Sequence, residues 1–219
     1  MKQVGVNPLI FDLEGGSSFL DVQRIAGIET FQELRDLLHD DAVLAPFGAV
    51  VIDSFTKAEE LAIRHTLENV QTEGGAYVDG IEGYGFGKGY THNYETFLKL
   101  LGDLDAIARK GKHVIGICHD CTANVPNPSG EDWIRFEPRL QNTPKGSIRH
   151  RVREWCDHLL FVGYDVAVGK DGKGKGAGTR TIYPTEMPTH MAKSRFLSDP
   201  IVYQDGQPDL WKALFSKGE

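Results

Sequence analysis

Three short apolar runs, each closing on a chemically useful group, constrain this chain more than any other feature of it. They are Pro8-Leu9-Ile10-Phe11-Asp12, Gly48-Ala49-Val50-Val51-Ile52-Asp53 and His113-Val114-Ile115-Gly116-Ile117-Cys118. Their length and β-branching read as buried strands. Helix-period segments lie between them. Phe31, Leu34, Leu37 and Leu38 share one face, and Ala58, Leu61, Ala62 and His65 begin a second helix. Over 92–109, Tyr94, Phe97, Leu98, Leu101, Leu104, Ile107 and Ala108 keep a 3.6-residue period, with Tyr94, Phe97 and Leu101 as core positions. Strands that alternate with helices predict an α/β fold with a mainly parallel sheet. Further on, Ile148, Val152 and Trp155 predict a helix leading into Leu159-Leu160-Phe161-Val162. The runs 165–168 and 180–183 flank a Gly- and Lys-rich stretch, which reads as a C-terminal antiparallel hairpin. Two connections, 73–91 and 120–147, are too long for simple turns, and such loops are usually functional or disordered.

The chain has 219 residues, a length that predicts one domain over 1–219. With 40% apolar and 25% charged residues it reads as a soluble globular protein. Its apolar runs fall far short of the roughly 18 residues of a membrane span. The start, Met1-Lys2-Gln3-Val4-Gly5-Val6, lacks the features of a signal peptide, and three cysteines without an export signal predict a reducing cytoplasm. The net charge of −7 argues against blanket nucleic-acid binding, but it is unevenly spread. Residues 1–109 hold 8 Lys+Arg against 18 Asp+Glu, whereas 110–219 hold 16 against 13. A polyanion would therefore be met by the second half.

Ligands of open parallel sheets bind at the carboxyl ends of the strands. Here those ends read Asp12-Leu13-Glu14-Gly15-Gly16, Asp53-Ser54 and Cys118-His119-Asp120. Alternation along a strand puts Asp12 and Glu14 on one side. A carboxylate at a strand tip holds Mg²⁺, usually through water, and a second one acts as general base on an attacking water. The plainer reading is that such residues cap helices and make turns.

The run Asp12-Leu13-Glu14-Gly15-Gly16 is followed in order by Val50-Val51-Ile52-Asp53-Ser54, the glycine-rich 83–91, Val114 to His119, and Glu154-Trp155-Cys156-Asp157. Then come Lys173-Gly174-Lys175 with Gly178-Thr179-Arg180, and Ala192-Lys193-Ser194-Arg195-Phe196. This series, from Pro8 to Pro200, resembles the AAA-domain phage nucleotide-binding proteins, a RecA-like family that includes single-strand annealing recombinases. The resemblance implies a RecA-like P-loop NTPase fold of three layers, with ATP and Mg²⁺ as cofactors and single-stranded DNA as partner. It implies that Asp53 holds Mg²⁺, with Asp12 and Ser54 beside it at the cofactor. Glu14 would orient the hydrolytic water and His119 would be the sensor. Lys193 and Arg195 would reach the γ-phosphate across a subunit interface, hence a homo-oligomer. The loops 79–91 and 120–147 fall at the DNA-binding positions, which brings in Lys88 from the first and Arg139, Lys145 and Arg149 from or beside the second.

One part is not found. The phosphate cradle of this fold is Gly-x4-Gly-Lys-Ser/Thr between a strand and a helix. Gly87-Lys88 follows no strand, and Gly169 to Lys175 is followed by Gly176 where the hydroxyl should be, and then by a strand. The latter reads as a basic hairpin turn. The expectation is a family member lacking its first strand, P-loop and first helix, so that the sheet is short of its central strand. Such a chain hydrolyses no ATP alone and is poorly soluble or completed by another segment or polypeptide. Other readings stay open. One is a non-catalytic interaction module of the same fold. Another is a redox or zinc role for Cys118-His119-Asp120-Cys121. The basic cluster Arg139, Lys145, Arg149, Arg151 and Arg153 reads either as DNA contacts, with Trp133 or Phe136 stacking on bases, or as a solvated helix face.

Overall fold

The three apolar runs lie side by side as parallel strands. The computed structural model describes residues 1, 4–168, 174–204, 206–207 and 209–215, with 166–168 and 174–177 described by backbone alone. Its elements run β1 (Pro8–Asp12), β2 (Gln23–Ala26), α1 (Phe31–His39), α2 (Asp41–Leu44), β3 (Ala49–Asp53), α3 (Phe55–Asn69), a 3₁₀ turn (Ile81–Tyr84), α4 (Lys88–Arg109) and β4 (His113–Ile117). They continue with β5 (Asp120–Val125), β6 (Trp133–Pro138), β7 (Asn142–Thr143), β8 (Gly146–Ser147), α5 (Ile148–Trp155), β9 (Phe161–Val168), β10 (Gly174–Tyr183), β11 (Ile201–Tyr203) and α6 (Asp209–Phe215). The main sheet has the order β2-β1-β3-β4 and is parallel throughout. The smaller sheet β11-β10-β9 is antiparallel.

Register pairs Asp12 with Asp53 and Asp53 with Ile117, so β1, β3 and β4 stop at one level. Leu9, Phe11, Val50 and Ile52 share one face of the sheet and join a single core with Phe31, Leu34, Leu61, Phe97, Leu100, Leu104 and Ile148 from α1, α3, α4 and α5. Gly116 faces the same way. A Cβ there would lie 2.6 Å from the Phe55 ring, so the glycine lets the start of α3 press against β4. On the opposite face Val51 is buried, but Ile10 and Ile115 are only partly covered and Ile117 is 44% exposed. Phe215 of α6 stacks on His113 at 4.1 Å between centroids.

The structure bears on three expectations. The strands β2, β1, β3 and β4 pair without a gap, and among the described residues the open positions are the outer edges of β2 and β4, so a further strand would join at an edge. The helices that fill the core sit on one face of the sheet, and no matching third layer is described on the other. The long connections are structured. Residues 120–147 contain the β5–β6 hairpin and the small β7–β8 pair. Residues 73–91 contain the 3₁₀ turn, and α4 begins at Lys88. At Gly89 a Cβ would lie 2.0 Å from the Ile81 carbonyl oxygen, so only glycine lets that turn close on the helix. Residues 169–173 lie outside the described residues, but β9 and β10 around them pair as the expected hairpin.

Candidate functional site

The ends of β1, β3 and β4 converge. Past β1 the chain stays paired, with the Leu13 amide donating to the Asp53 carbonyl at 2.8 Å, and this carries Glu14 to the level of Ser54. Ser54 caps α3 by accepting the Lys57 amide at 3.1 Å, as short polar side chains at that position do. The same hydroxyl donates to Glu14 Oε1. His119, beyond β4, brings Nε2 to 3.0 Å from both oxygens of Glu14. A carboxylate only accepts, so Nε2 carries the hydrogen. The His119 amide donates to Thr56 Oγ1 at 3.1 Å, and its carbonyl accepts the Arg139 amide at 2.8 Å across the base of the β5–β6 hairpin. Thus Ser54 and His119, 40 and 105 positions from Glu14, hold one carboxylate between them.

The charges around it are unequal. Burial pushes the Glu14 carboxyl up, but hydrogen bonds from Ser54 and His119, with the charges of His119 and Lys57, bring it below the ordinary glutamate range. Burial also pushes Asp12 up, yet the Ser17 hydroxyl and amide and the Arg24 guanidinium hold it at about 2. Asp53 goes the other way, raised by burial and then by the nearby charges of Glu14 and Asp12. Among the described residues no hydrogen bond or ion pair reaches the Asp53 carboxylate.

The other expected residues fall elsewhere. Asp12 is a turn residue: its oxygens accept the Gly16 amide, the Ser17 amide and hydroxyl, and Arg24 Nη1 at 2.9 Å. It is 1% exposed, which leaves it no face for a cofactor. Arg149 is 8% exposed and spends its guanidinium on Glu137, Cys121 Sγ and the Leu140 carbonyl. It is buried in an ion-pair network with Arg135 and Glu137, so no phosphate reaches it in this conformation. Lys193 donates to the carbonyls of Arg153 and Glu154 that end α5, and Arg195 pairs with Asp157. Lys88 pairs with exposed Glu73, while Arg139 and Lys145 are exposed. Cys118 meets Thr56 Oγ1 at 3.4 Å, and burial pushes its thiol up.

The sequence reading missed Thr56, which ties the end of β4 to α3, and Arg24, which neutralises Asp12. Thr56 was signalled only by its place two residues past the capping Ser54. Arg24 carried no signal, because β2 is polar and exposed.

A family model described as an AAA domain matches residues 1–196. The chain belongs to that AAA-domain family. Membership suggests a nucleotide-binding, ATPase-like function, and AAA domains generally bind ATP with Mg²⁺. No curated protein and no solved structure matches the chain.

The residues of this AAA domain fit the two halves of such a ligand unequally. Asp53, unpaired and crowded by like charge, suits a cation; Mg²⁺ is usually held by only one or two carboxylates plus water and phosphate. Among the described residues no three His, Cys, Asp or Glu side chains are grouped to hold a metal by themselves. Among the described residues the phosphates find no cradle. The Gly15–Ser17 turn after β1 has the composition of one, but its amides at Gly16 and Ser17 already point at Asp12.

Proposed function

We propose that this chain is a phage-type RecA-like nucleotide-binding protein that acts on single-stranded DNA in a homo-oligomer and carries the water- and cation-handling half of an ATPase site. The supporting observation is the convergence of Glu14, Ser54 and His119 beside an unpaired Asp53. Glu14 stays ionised and has its orientation set from two sides, as a group that aligns a water and takes its proton must. Asp53 would hold Mg²⁺, which supplies charge neutralisation along the phosphates. His119 links Glu14 to the β5–β6 hairpin through the Arg139 amide, so a change at the carboxylate reaches that hairpin directly. Lys193 and Arg195 act across a subunit interface, for which Lys193 must leave the Arg153 and Glu154 carbonyls and Arg195 must leave Asp157. The phosphate-holding half is contributed by another segment or polypeptide. A parallel strand added to the open edge of β4 would end beside His119.

The test is binding of Mn²⁺·ATP, followed by water-proton relaxation. Asp53→Asn is expected to weaken it about tenfold, the value of one lost charge-assisted contact. Equal binding by the variant sinks the cation assignment. The chain alone is expected to show no turnover. Magnesium-dependent hydrolysis by the pure chain, abolished by Glu14→Gln, would overturn the division of the site. The rival reading, a non-catalytic interaction module, is favoured by the turn amides already given to Asp12; it predicts no binding of Mn²⁺·ATP even when a phosphate-loop partner is supplied.

A further inference from the structure

We infer that the β11-β10-β9 sheet presents a stacking platform for single-stranded DNA, built by Tyr164, Arg180 and Tyr203. The inference rests on the strand-binding part of the function proposed above and names the face that meets the strand. Register sets Arg180 directly opposite Tyr164 on one side and Tyr203 on the other, so the three side chains form one row across three strands. The row is open to solvent: Tyr164 is 67% exposed, Tyr203 is 46% exposed, and Arg180 is exposed between them. The Arg180 guanidinium lies 4.7 Å from the centre of the Tyr164 ring and donates to Tyr164 Oη at 2.6 Å. This fixes two planar groups in place before any ligand arrives.

Beside the row, Val162, Ile182 and Ile201 form the next rank on the same face. With Tyr203, Leu210 and Trp211 they line a cavity of about 200 Å³ under α6. That is room for a single ring system, where sites for drug-sized ligands start near 300 Å³. Strands lie about 4.8 Å apart, so the two tyrosines stand about 10 Å from each other, with space for more than one base. Rings and guanidinium planes in a line suit unstacked bases, because every base has a π-face; the bases of a duplex are not offered this way. Asp209 lines the cavity on the α6 side, so its charge places the phosphates toward β9.

The test uses the full chain and a fluorescein-labelled oligothymidylate at low salt, read by anisotropy, with oligouridylate and a duplex of equal length as further arms. Tyr164→Ala and Tyr203→Ala are each expected to weaken binding about 5- to 150-fold, and Tyr164→Phe to stay within about twofold, since the stacking ring remains. Arg180→Lys should lose affinity while keeping the salt dependence, because it preserves charge but not the plane. The Phe and Lys variants keep bulk and charge, so unfolding cannot mimic the pattern. Oligothymidylate bound equally well by both alanine variants overturns this platform and leaves strand binding to another surface. No binding by the unaltered chain overturns the strand reading itself. Tighter binding of oligouridylate or of duplex overturns the choice of single-stranded DNA.

Discussion

Glu59→Gln should stabilise this protein at alkaline pH and do little in acid. Glu59 sits on α3 just past the Ser54 cap, 8% exposed, and accepts the Gln141 amide at 2.8 Å. Burial lifts its carboxyl to about 7 from the ordinary glutamate value of 4.5, with the Gln141 hydrogen bond and the Arg149 charge opposing only in part. An acid whose folded pKa is raised holds its proton more tightly when folded. Its contribution is therefore complete below about pH 4.5 and is lost as pH climbs to about 7. At 1.36 kcal/mol per pKa unit the loss is about 3 kcal/mol, an order-of-magnitude figure. Glutamine keeps an acceptor for Gln141 and has no charge to bury. At pH 8 the variant should gain about 3 kcal/mol, or roughly 6–12 °C in Tm for a domain of this size. At pH 5 the gain should shrink to about 1 kcal/mol or less. The assay is urea unfolding followed by tryptophan fluorescence, with both proteins compared at each pH so that other titrating groups cancel. A variant as stable as the parent at pH 8, or a gap independent of pH, refutes the reasoning.

Two further outcomes follow from packing. Gly89→Ala forces a Cβ into the Ile81 carbonyl and should destabilise by about 3 kcal/mol, at the upper end for overpacking, because a backbone atom cannot rotate away; a melting point unchanged from the parent would contradict this. Arg149→Ala strands part of the buried Glu137 charge and should cost about 3–5 kcal/mol in chemical unfolding, whereas Arg139→Ala, at an exposed position, should stay within about 0.5 kcal/mol.

The strand ends were readable because two local rules meet there. A run such as Ala49–Asp53 must be buried, and the residue after it must leave the sheet, so Ser54 becomes both strand end and helix cap. The site's neighbours in space were not readable in the same way. Arg149 lies in a basic stretch that looks solvated, and only the fold shows Glu137 and Cys121 against it. The β5–β6 hairpin was hidden because β5 alternates only small residues, Cys121, Ala123 and Val125, against exposed Asp120, Thr122 and Asn124, and its partner β6 inverts the usual pattern by burying Arg135 and Glu137 while Ile134 and Phe136 stay exposed.

Residue type and short-range period were enough to set the α/β class, three parallel strands, the helices between them and the acidic or polar group at each strand tip. Which of those tips cooperate depended on long-range pairing. Glu14, Ser54 and His119 meet because β1, β3 and β4 pair in a register that ends them at one level. Asp12, one turn of the pleat away from Glu14, is consumed instead by its own turn and by Arg24. Whether a carboxylate is spent or available depends on what long-range pairing brings within about 3 Å of it, the reach of a hydrogen bond, and no local pattern carries that information.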